Sequence, residues 1–172
     1  MKQAMAQAKQ AFDLPKYDQL PNMGLYLEQC AKYINQCLKP LGFPDVTSSM
    51  IRNYVKMGLV SNPVQKQYYA DHLAHLMVIS ILKQALPLEY INTLLVRQKQ
   101  IYTNEVAYNY FCLELKNILF HRFGLTATIE EIGETNSVEK EMLRSAVTAV
   151  SHIAFFNACM EQFQASSQTE TE

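Results

Sequence analysis

The sequence has little glycine and proline and no apolar run long enough to cross a membrane. Five glycines and six prolines in 172 residues exclude a fibrous chain, and 49% hydrophobic against 18% charged residues excludes a disordered one. The longest uncharged run, Ser145 to Met160, is shorter than the roughly 20 apolar residues of a transmembrane helix. The sequence therefore indicates a globular protein about one domain in size.

Signals of secretion and catalysis are also missing. The first ten residues contain no apolar leader segment, so we expect a cytoplasmic protein whose four cysteines are thiols. The chain has no glycine-rich phosphate loop, no nucleophile elbow and no paired catalytic carboxylates. We therefore expect neither an enzyme nor a bound cofactor.

The charges are unevenly distributed, although the net charge is only −1. Residues 1–122 hold 13 of the 15 basic and 8 of the 16 acidic residues, whereas residues 123–172 hold 2 basic and 8 acidic residues. Between Val46 and Ala70 there are three basic residues and no acid. This segment has a local positive charge of the kind that meets phosphate.

Apolar periodicity predicts an all-α protein. A short frayed helix over 2–11 and an extended stretch over 13–22 form a peripheral arm. Core helices are expected over 23–39, 48–57, 70–85, from Pro87 onward, over 103–123 and over 137–164, with disorder beyond. Thr47 is the expected N-cap of the second core helix, and Gly58 is expected to end that helix. Residues 125–136 are expected to form an acidic loop.

The segment between the second and third core helices differs from the helices. Residues 59–69 are predicted to form two short extended pieces around Asn62 and Pro63, which is typical of a wing.

The helix over 48–57 carries the functional prediction. Four polar side chains recur at i, i+3, i+4 and i+7 and therefore share one face, while Ile51, Tyr54 and Val55 take the inner side. A helix of this size fits the major groove of DNA, where arginine reads guanine, asparagine reads adenine, and lysine or serine serves phosphates or base edges. The four residues are Ser49, Arg52, Asn53 and Lys56.

The stretch from Met50 to Val60 resembles the Ile-Arg-Tyr-Tyr and Gly-Leu-Ile motif of the MerR family of bacterial regulators. The resemblance continues without a gap as far as Leu95. The resemblance implies a winged helix-turn-helix over residues 22–100, with Lys66 and Tyr68 where that family's wing has Arg and Tyr. Asn53 stands where the family has Tyr. About ten residues precede the recognition helix where the family has a tight turn. With residues 20–29 ahead of the motif, the whole chain is similar to an uncharacterised family of small proteins of low-GC Gram-positive bacteria that carry this module.

These observations predict a transcriptional regulator that binds duplex DNA as a homodimer. Residues 1–21 would be the arm, 101–165 a helical packing and dimerisation region whose last helix is apolar on most sides, and 166–172 a disordered tail. Ser49, Arg52, Asn53, Lys56, Lys66 and Tyr68 would contact DNA. The regulator could also respond to an effector, whose identity the sequence does not indicate. No membrane partner is expected.

The alternative interpretation is a helical module without DNA binding that holds a protein partner or an apolar ligand. Tyr102, Tyr108, Tyr110 and Phe111 could line a ligand pocket, although such aromatics are usually core or interface residues. His72 and His75 could share a metal with Cys112 or Cys159, but no metal-binding spacing supports this, and His75 is expected to face solvent or back the wing. Cys30 and Cys37 are predicted core residues.

Overall fold

Helices make up most of the chain in the computed structural model, which describes residues 2–134 and 136–169. Within these residues no β-strand is formed, and β-structure is limited to isolated bridges, so the all-α prediction is confirmed. No described helix is long and apolar enough to cross a membrane. The helices are α1 Lys2–Gln10, α2 Leu27–Leu38, α3 Ser48–Lys56, α4 Ala70–Leu82, α5 Leu88–Ile101, α6 Asn104–Arg122 and α7 Val138–Thr169.

The ends of α3 and α7 follow the predicted capping chemistry. The Thr47 hydroxyl accepts a hydrogen bond from the Met50 backbone N–H at 3.2 Å, and Ser137 accepts in the same way from Lys140 at 3.1 Å. Each bond satisfies a backbone donor that the helix itself leaves free. Gly58 follows α3 with φ +77°, a left-handed conformation that glycine adopts at little cost.

Helix α4 is the centre of the core. Nearly every residue from Ala70 to Leu82 is buried, and the helix contacts α2, α5, α6 and α7. An apolar helix of this kind must be covered on all sides. It therefore connects the N-terminal helices with the C-terminal pair, α6 and α7, which pack along each other.

The N-terminal arm is not peripheral, and that prediction was wrong. Phe12 is only 2% exposed, and Met5, Leu14 and Leu20 are also buried. The Tyr17 backbone N–H donates to Asn109 Oδ1 at 2.9 Å, which ties the arm to α6. The burial of the arm could not be predicted because Phe12 and Leu14 alternate with exposed residues along an extended chain, a pattern that lacks the helical period.

The wing is shorter than predicted, and its turn is at a different position. Val64 and Gln67 exchange both backbone hydrogen bonds at 3.0 and 2.9 Å, so the turn lies at Gln65 and Lys66 rather than at Asn62 and Pro63. Both turn residues have positive φ, 49° and 65°, as a two-residue type I′ hairpin turn requires. The turn could not be predicted from its residues, because such turns favour Asn-Gly over Gln-Lys.

The base of the wing pairs with a segment ahead of α2. Leu25 and Tyr68 exchange backbone hydrogen bonds at 2.8 Å in an antiparallel bridge. Gly24 has φ +80°, which side-chain-bearing residues rarely adopt, and a Cβ there would lie 2.8 Å from the side-chain oxygen of Gln67, so both features favour glycine. Because residues 24–26 serve the bridge, α2 begins at Leu27, four residues later than predicted.

The C-terminal end of the chain also differs from expectation. Disorder was predicted after Gln164, but α7 continues to Thr169, and residues 170–172 lie outside the described residues. No residue between 164 and 169 breaks a helix, and the Ser166 and Ser167 hydroxyls donate to the carbonyls one turn earlier at 2.9 and 3.0 Å. All four cysteines are free thiols, with Cys30 buried and the other three partly buried.

Candidate nucleic-acid interface

The two faces of α3 separate as the sequence predicts. Ile51 and Tyr54 are buried, and Val55 is half-buried. All four polar residues of the opposite face are exposed: Ser49, Arg52, Asn53 and Lys56. The polar face is therefore accessible along the whole length of the helix. We call these four residues, together with Lys66 of the wing, the basic face.

Contacts at both ends of α3 fix its orientation. The Asn35 side chain donates to the Val46 carbonyl at 2.9 Å and accepts from the Val46 N–H at 2.8 Å, which holds the connection that leads into α3. At the inner face, Lys83 Nζ donates to the Tyr54 hydroxyl at 3.1 Å and lies 5.9 Å from the centre of its ring. Helix α3 is thus anchored to α2 and to the end of α4. The contact of Lys83 with Tyr54 could not be predicted from the sequence, because an isolated lysine at the end of a helix belongs to no recognisable motif.

The N-terminus of α3 already faces a carboxylate. The Ser48 hydroxyl donates to Glu28 Oε1 at 2.7 Å, at the end of the helix where a phosphate would otherwise be favoured. The electrostatic potential along α3 is therefore more favourable for an anion near Arg52 and Lys56 than at the N-terminus of the helix.

The three basic residues of this face differ in their ion pairing from cations elsewhere in the chain. In the part of the chain that the structure describes, Arg52, Lys56 and Lys66 make no ion pair. By contrast, several cations later in the chain are neutralised by carboxylates, among them Arg97 by Glu139 at 2.9 Å. The positive charge of the basic face is therefore available to an external anion.

Tyr68 does not belong to this surface, and its assignment as a DNA contact is corrected. Its side chain is only 4% exposed, since it packs behind the wing with its ring edge against His72, 5.5 Å between centroids. Burial raises the pKa of its hydroxyl, with Cys30 adding to the rise and the Arg52 guanidinium opposing it. Tyr68 therefore supports the wing from inside and lies within electrostatic range of Arg52.

His72 holds the start of the wing. Its Nδ1 accepts from the Tyr69 backbone N–H at 2.9 Å, so Nε2 carries the proton and donates to the Asn62 carbonyl at 3.1 Å. Both ring nitrogens are thus engaged, which leaves neither for a metal. Among the described residues no group of three or more His, Cys, Asp or Glu side chains is placed to hold a metal ion.

His75 is buried, contrary to the expectation that it faces solvent or backs the wing. It is 6% exposed and lies on α4 against a cavity between α4, α5 and α6. Burial lowers its pKa to about 4, assisted by Lys99 and opposed by Asp71. The expectation for His75 came from its position shortly after the wing in the sequence. It was wrong because neighbouring helices cover α4 on every side, so little of His75 is exposed.

The low pKa of His75 predicts a loss of stability in acid. The unfolded chain takes up this proton near pH 6.5, whereas the folded chain takes it up only near pH 4. The free energy of unfolding should therefore fall as the pH drops from 6.5 to 4, by up to about 3 kcal/mol from this residue. Urea denaturation at several pH values should show a shallower fall for His75→Gln, and equal pH dependence of both proteins would refute the assignment.

The aromatic residues of α6 serve two roles. Tyr108 and Phe111 are core residues, and the Tyr108 hydroxyl donates to the Pro15 carbonyl of the arm at 3.0 Å. Both also contribute to the wall of the cavity beside His75, together with Tyr102 and Tyr110. The core interpretation and the pocket interpretation of this group therefore both have a structural basis.

Comparison with known proteins gives one finding. A family model described as a domain of unknown function matches residues 15–111, more than half of the chain. The match includes α2 to α5, the wing, and the start of α6 with the arm segment docked on it. The chain matches no curated protein and no solved structure.

Proposed function

Because the chain belongs to the DUF1836 family, a domain family of unknown function, we propose its function from the site: it binds duplex DNA as a transcriptional regulator through a MerR-like winged helix-turn-helix. The observation that carries this proposal is the basic face, whose three cations are exposed and form no ion pair with any residue that the structure describes. A surface that binds only protein does not require such unbalanced positive charge.

The dimensions of α3 support this role. Nine residues span about 13 Å, and the side chains of one face project over two turns, which suits the major groove. Arg52 would read guanine, and Asn53 would read adenine once its 3.4 Å contact with the Met57 sulfur is released. Lys56 and Ser49 would serve phosphates or base edges.

The wing would add a contact to the backbone. Lys66 is exposed at the tip of the hairpin turn, and the base of the wing is fixed by the Leu25–Tyr68 bridge and by His72. A lysine at such a tip offers a single charge rather than the bidentate fork of arginine. We therefore assign Lys66 a contribution to affinity and not to sequence preference.

A titration of the protein into fluorescently labelled duplex DNA tests the proposal. Anisotropy should rise with both random and genomic fragments, and the affinity should fall steeply between low and moderate salt as counterions are released. Absence of binding at low salt would overturn the proposal and favour the interaction module without DNA binding.

The proposal includes a homodimer formed through α7. Its outer face exposes Val138, Met142, Ser145, Ala149, His152, Phe156 and Phe163. These positions recur mostly at alternating steps of four and three residues, the spacing by which one helix packs along another. Two antiparallel copies would also present two basic faces. A dimer would then read two half-sites, because a single recognition helix reads too little sequence.

Light scattering on a sizing column checks the dimer. We expect a dimer at micromolar concentration for the natural chain and a monomer for Phe156→Asp with Phe163→Asp, because a buried charge without a partner opposes association. Leu113→Asp is the control, since Leu113 is similarly exposed but lies on α6. A stable monomer of the unmodified chain would count against the dimer.

A further inference from the structure

A cavity of about 330 Å³ lies beside α4, and no residue of α3 lines it. Helices α5 and α6 form two further walls, and residues 132–134 with the start of α7 close the fourth. The Tyr110 hydroxyl donates to the Ile132 carbonyl at 3.3 Å and holds this closing segment in place. The volume falls within the range of about 300–1,000 Å³ in which small-molecule sites are found.

The walls of the cavity are mainly apolar. Its interior is lined by side chains from each of the four helices: Val78, Leu82, Leu94, Ala107, Phe111 and Leu143. Water inside such a space finds few hydrogen-bond partners, so an apolar ligand that displaces it gains the hydrophobic free energy of both surfaces. His75 is the buried polar side chain at this wall.

The cations at the rim of the cavity are paired with carboxylates. Arg97 is paired with Glu139 at 2.9 Å, and Lys140 is paired with Glu131 at 3.4 Å, while Glu134 adds a further carboxylate to the lining. A carboxylate, sulfonate or phosphate on a ligand would have to displace one of these partners and would also meet Glu134. The rim thus disfavours an anionic ligand, and the apolar walls disfavour a ligand of either charge.

We propose that this cavity is a binding site for an uncharged, largely apolar small molecule about the size of two or three fused or linked rings. The apolar walls would supply the affinity, and His75 together with the exposed Tyr102 at the mouth would supply the few polar contacts.

The position of the cavity connects it with the basic face, a step that depends on the proposed function. The helix that carries Val78 and His75 also carries His72, which bonds the start of the wing, and is followed by Lys83, which bonds Tyr54 of α3. A ligand that shifts α4 would therefore shift both DNA-contacting elements. We expect occupancy of the cavity to change DNA affinity.

Two dyes with one scaffold test the site. N-phenyl-1-naphthylamine is uncharged, whereas 8-anilino-1-naphthalenesulfonate carries a sulfonate on the same ring system. We expect the uncharged dye to bind the folded full chain saturably, with one site per chain, and the sulfonate to bind at least about tenfold more weakly. Failure of the uncharged dye to bind, or equal binding of both dyes, would overturn the proposal.

Filling the cavity provides the second test. Ala107→Phe should weaken binding of the uncharged dye by about tenfold or more, because the new ring occupies the ligand's space. Val96→Phe is the control, since Val96 is exposed on α5 and does not line the cavity. Circular dichroism and thermal unfolding establish that each variant is folded, and Val78→Leu, a smaller filling from α4, replaces Ala107→Phe if that variant unfolds. Unchanged binding by a folded filling variant would place the dye elsewhere.

The regulatory step has a separate readout. Saturating uncharged dye should change the dissociation constant for duplex DNA at least about threefold in the natural chain, and not in the filled variant. Dye binding without any DNA binding would leave the site intact and refute the proposed function. DNA binding that ignores the dye would refute the regulatory step alone.

Discussion

Alanine at Arg52, Lys56 and Lys66 together is expected to abolish measurable DNA binding at physiological salt. The Arg52 change alone should weaken binding by about 1 to 3 kcal/mol and relax base preference, because a bidentate contact to a base is lost. Each lysine that neutralises a phosphate adds about one unit to the slope of log affinity against log salt, so the triple variant should lose about two such units. Anisotropy titrations at two salt concentrations measure both quantities.

A matched variant separates this effect from a general loss of charge. Alanine at Lys16, Lys99 and Lys116 also removes three positive charges, but these lie outside the basic face, so the affinity for DNA should fall only modestly. Within the basic face, Lys66→Arg should hold or slightly raise affinity, whereas Lys66→Glu should lower it much more at low than at high salt. Unchanged affinity of the Arg52, Lys56, Lys66 variant would refute the DNA-binding proposal.

The second large effect is expected at the buried carboxyl group of Glu114. Glu114 is 0% exposed, and its Oε1 accepts a hydrogen bond from Arg144 Nε. Arg144 also binds Glu131 and donates to the Glu130 carbonyl at 2.9 Å, so one guanidinium joins α6, α7 and the loop between them. Arg144→Met leaves the carboxyl group buried without this partner. We therefore expect a loss of about 3 to 5 kcal/mol in the free energy of unfolding.

Two further variants make this prediction specific. Arg97→Met breaks an ion pair whose arginine side chain is 58% exposed, and it should cost less than about 1 kcal/mol. Glu114→Leu in the Arg144→Met background removes the unpaired group and should restore much of the lost stability. Urea denaturation measures all three. A small effect of Arg144→Met, or no recovery in the double variant, would contradict the buried-pair explanation.

The helices and their faces were the most predictable part of this protein. The bounds of α3, its N-cap at Thr47 and its exposed polar face follow from the period of its apolar residues and from local capping chemistry. The burial of Ile51 and Tyr54 follows from the same pattern. These features depend on residues within one or two turns of each other, so the sequence alone specifies them.

The unpredicted features depend on contacts between distant parts of the chain. The backbone of Tyr68 pairs with Leu25, 43 residues earlier, and its ring packs against His72; no local pattern signals such a bridge. The buried Glu114 is an acid among apolar neighbours on α6, a signal that could have been read, but its partner Arg144 lies 30 residues away. The cavity also requires four elements to meet. Sequence periods identify which residues are buried, not what they are buried against.

The docking of the arm has a consequence for the order of events during synthesis. Pro15 and Tyr17 bond to Tyr108 and Asn109, so the arm contacts residues that are made 92 or 93 positions later. At about 5 to 20 residues per second this is a delay of roughly 5 to 20 seconds. During that interval the surface of α6 against which the arm docks is absent, and α2, α3 and the wing emerge before it. The arm therefore docks on α6 only after most of the N-terminal helices have been made, and it stays more open to chaperones and proteases until α6 has appeared.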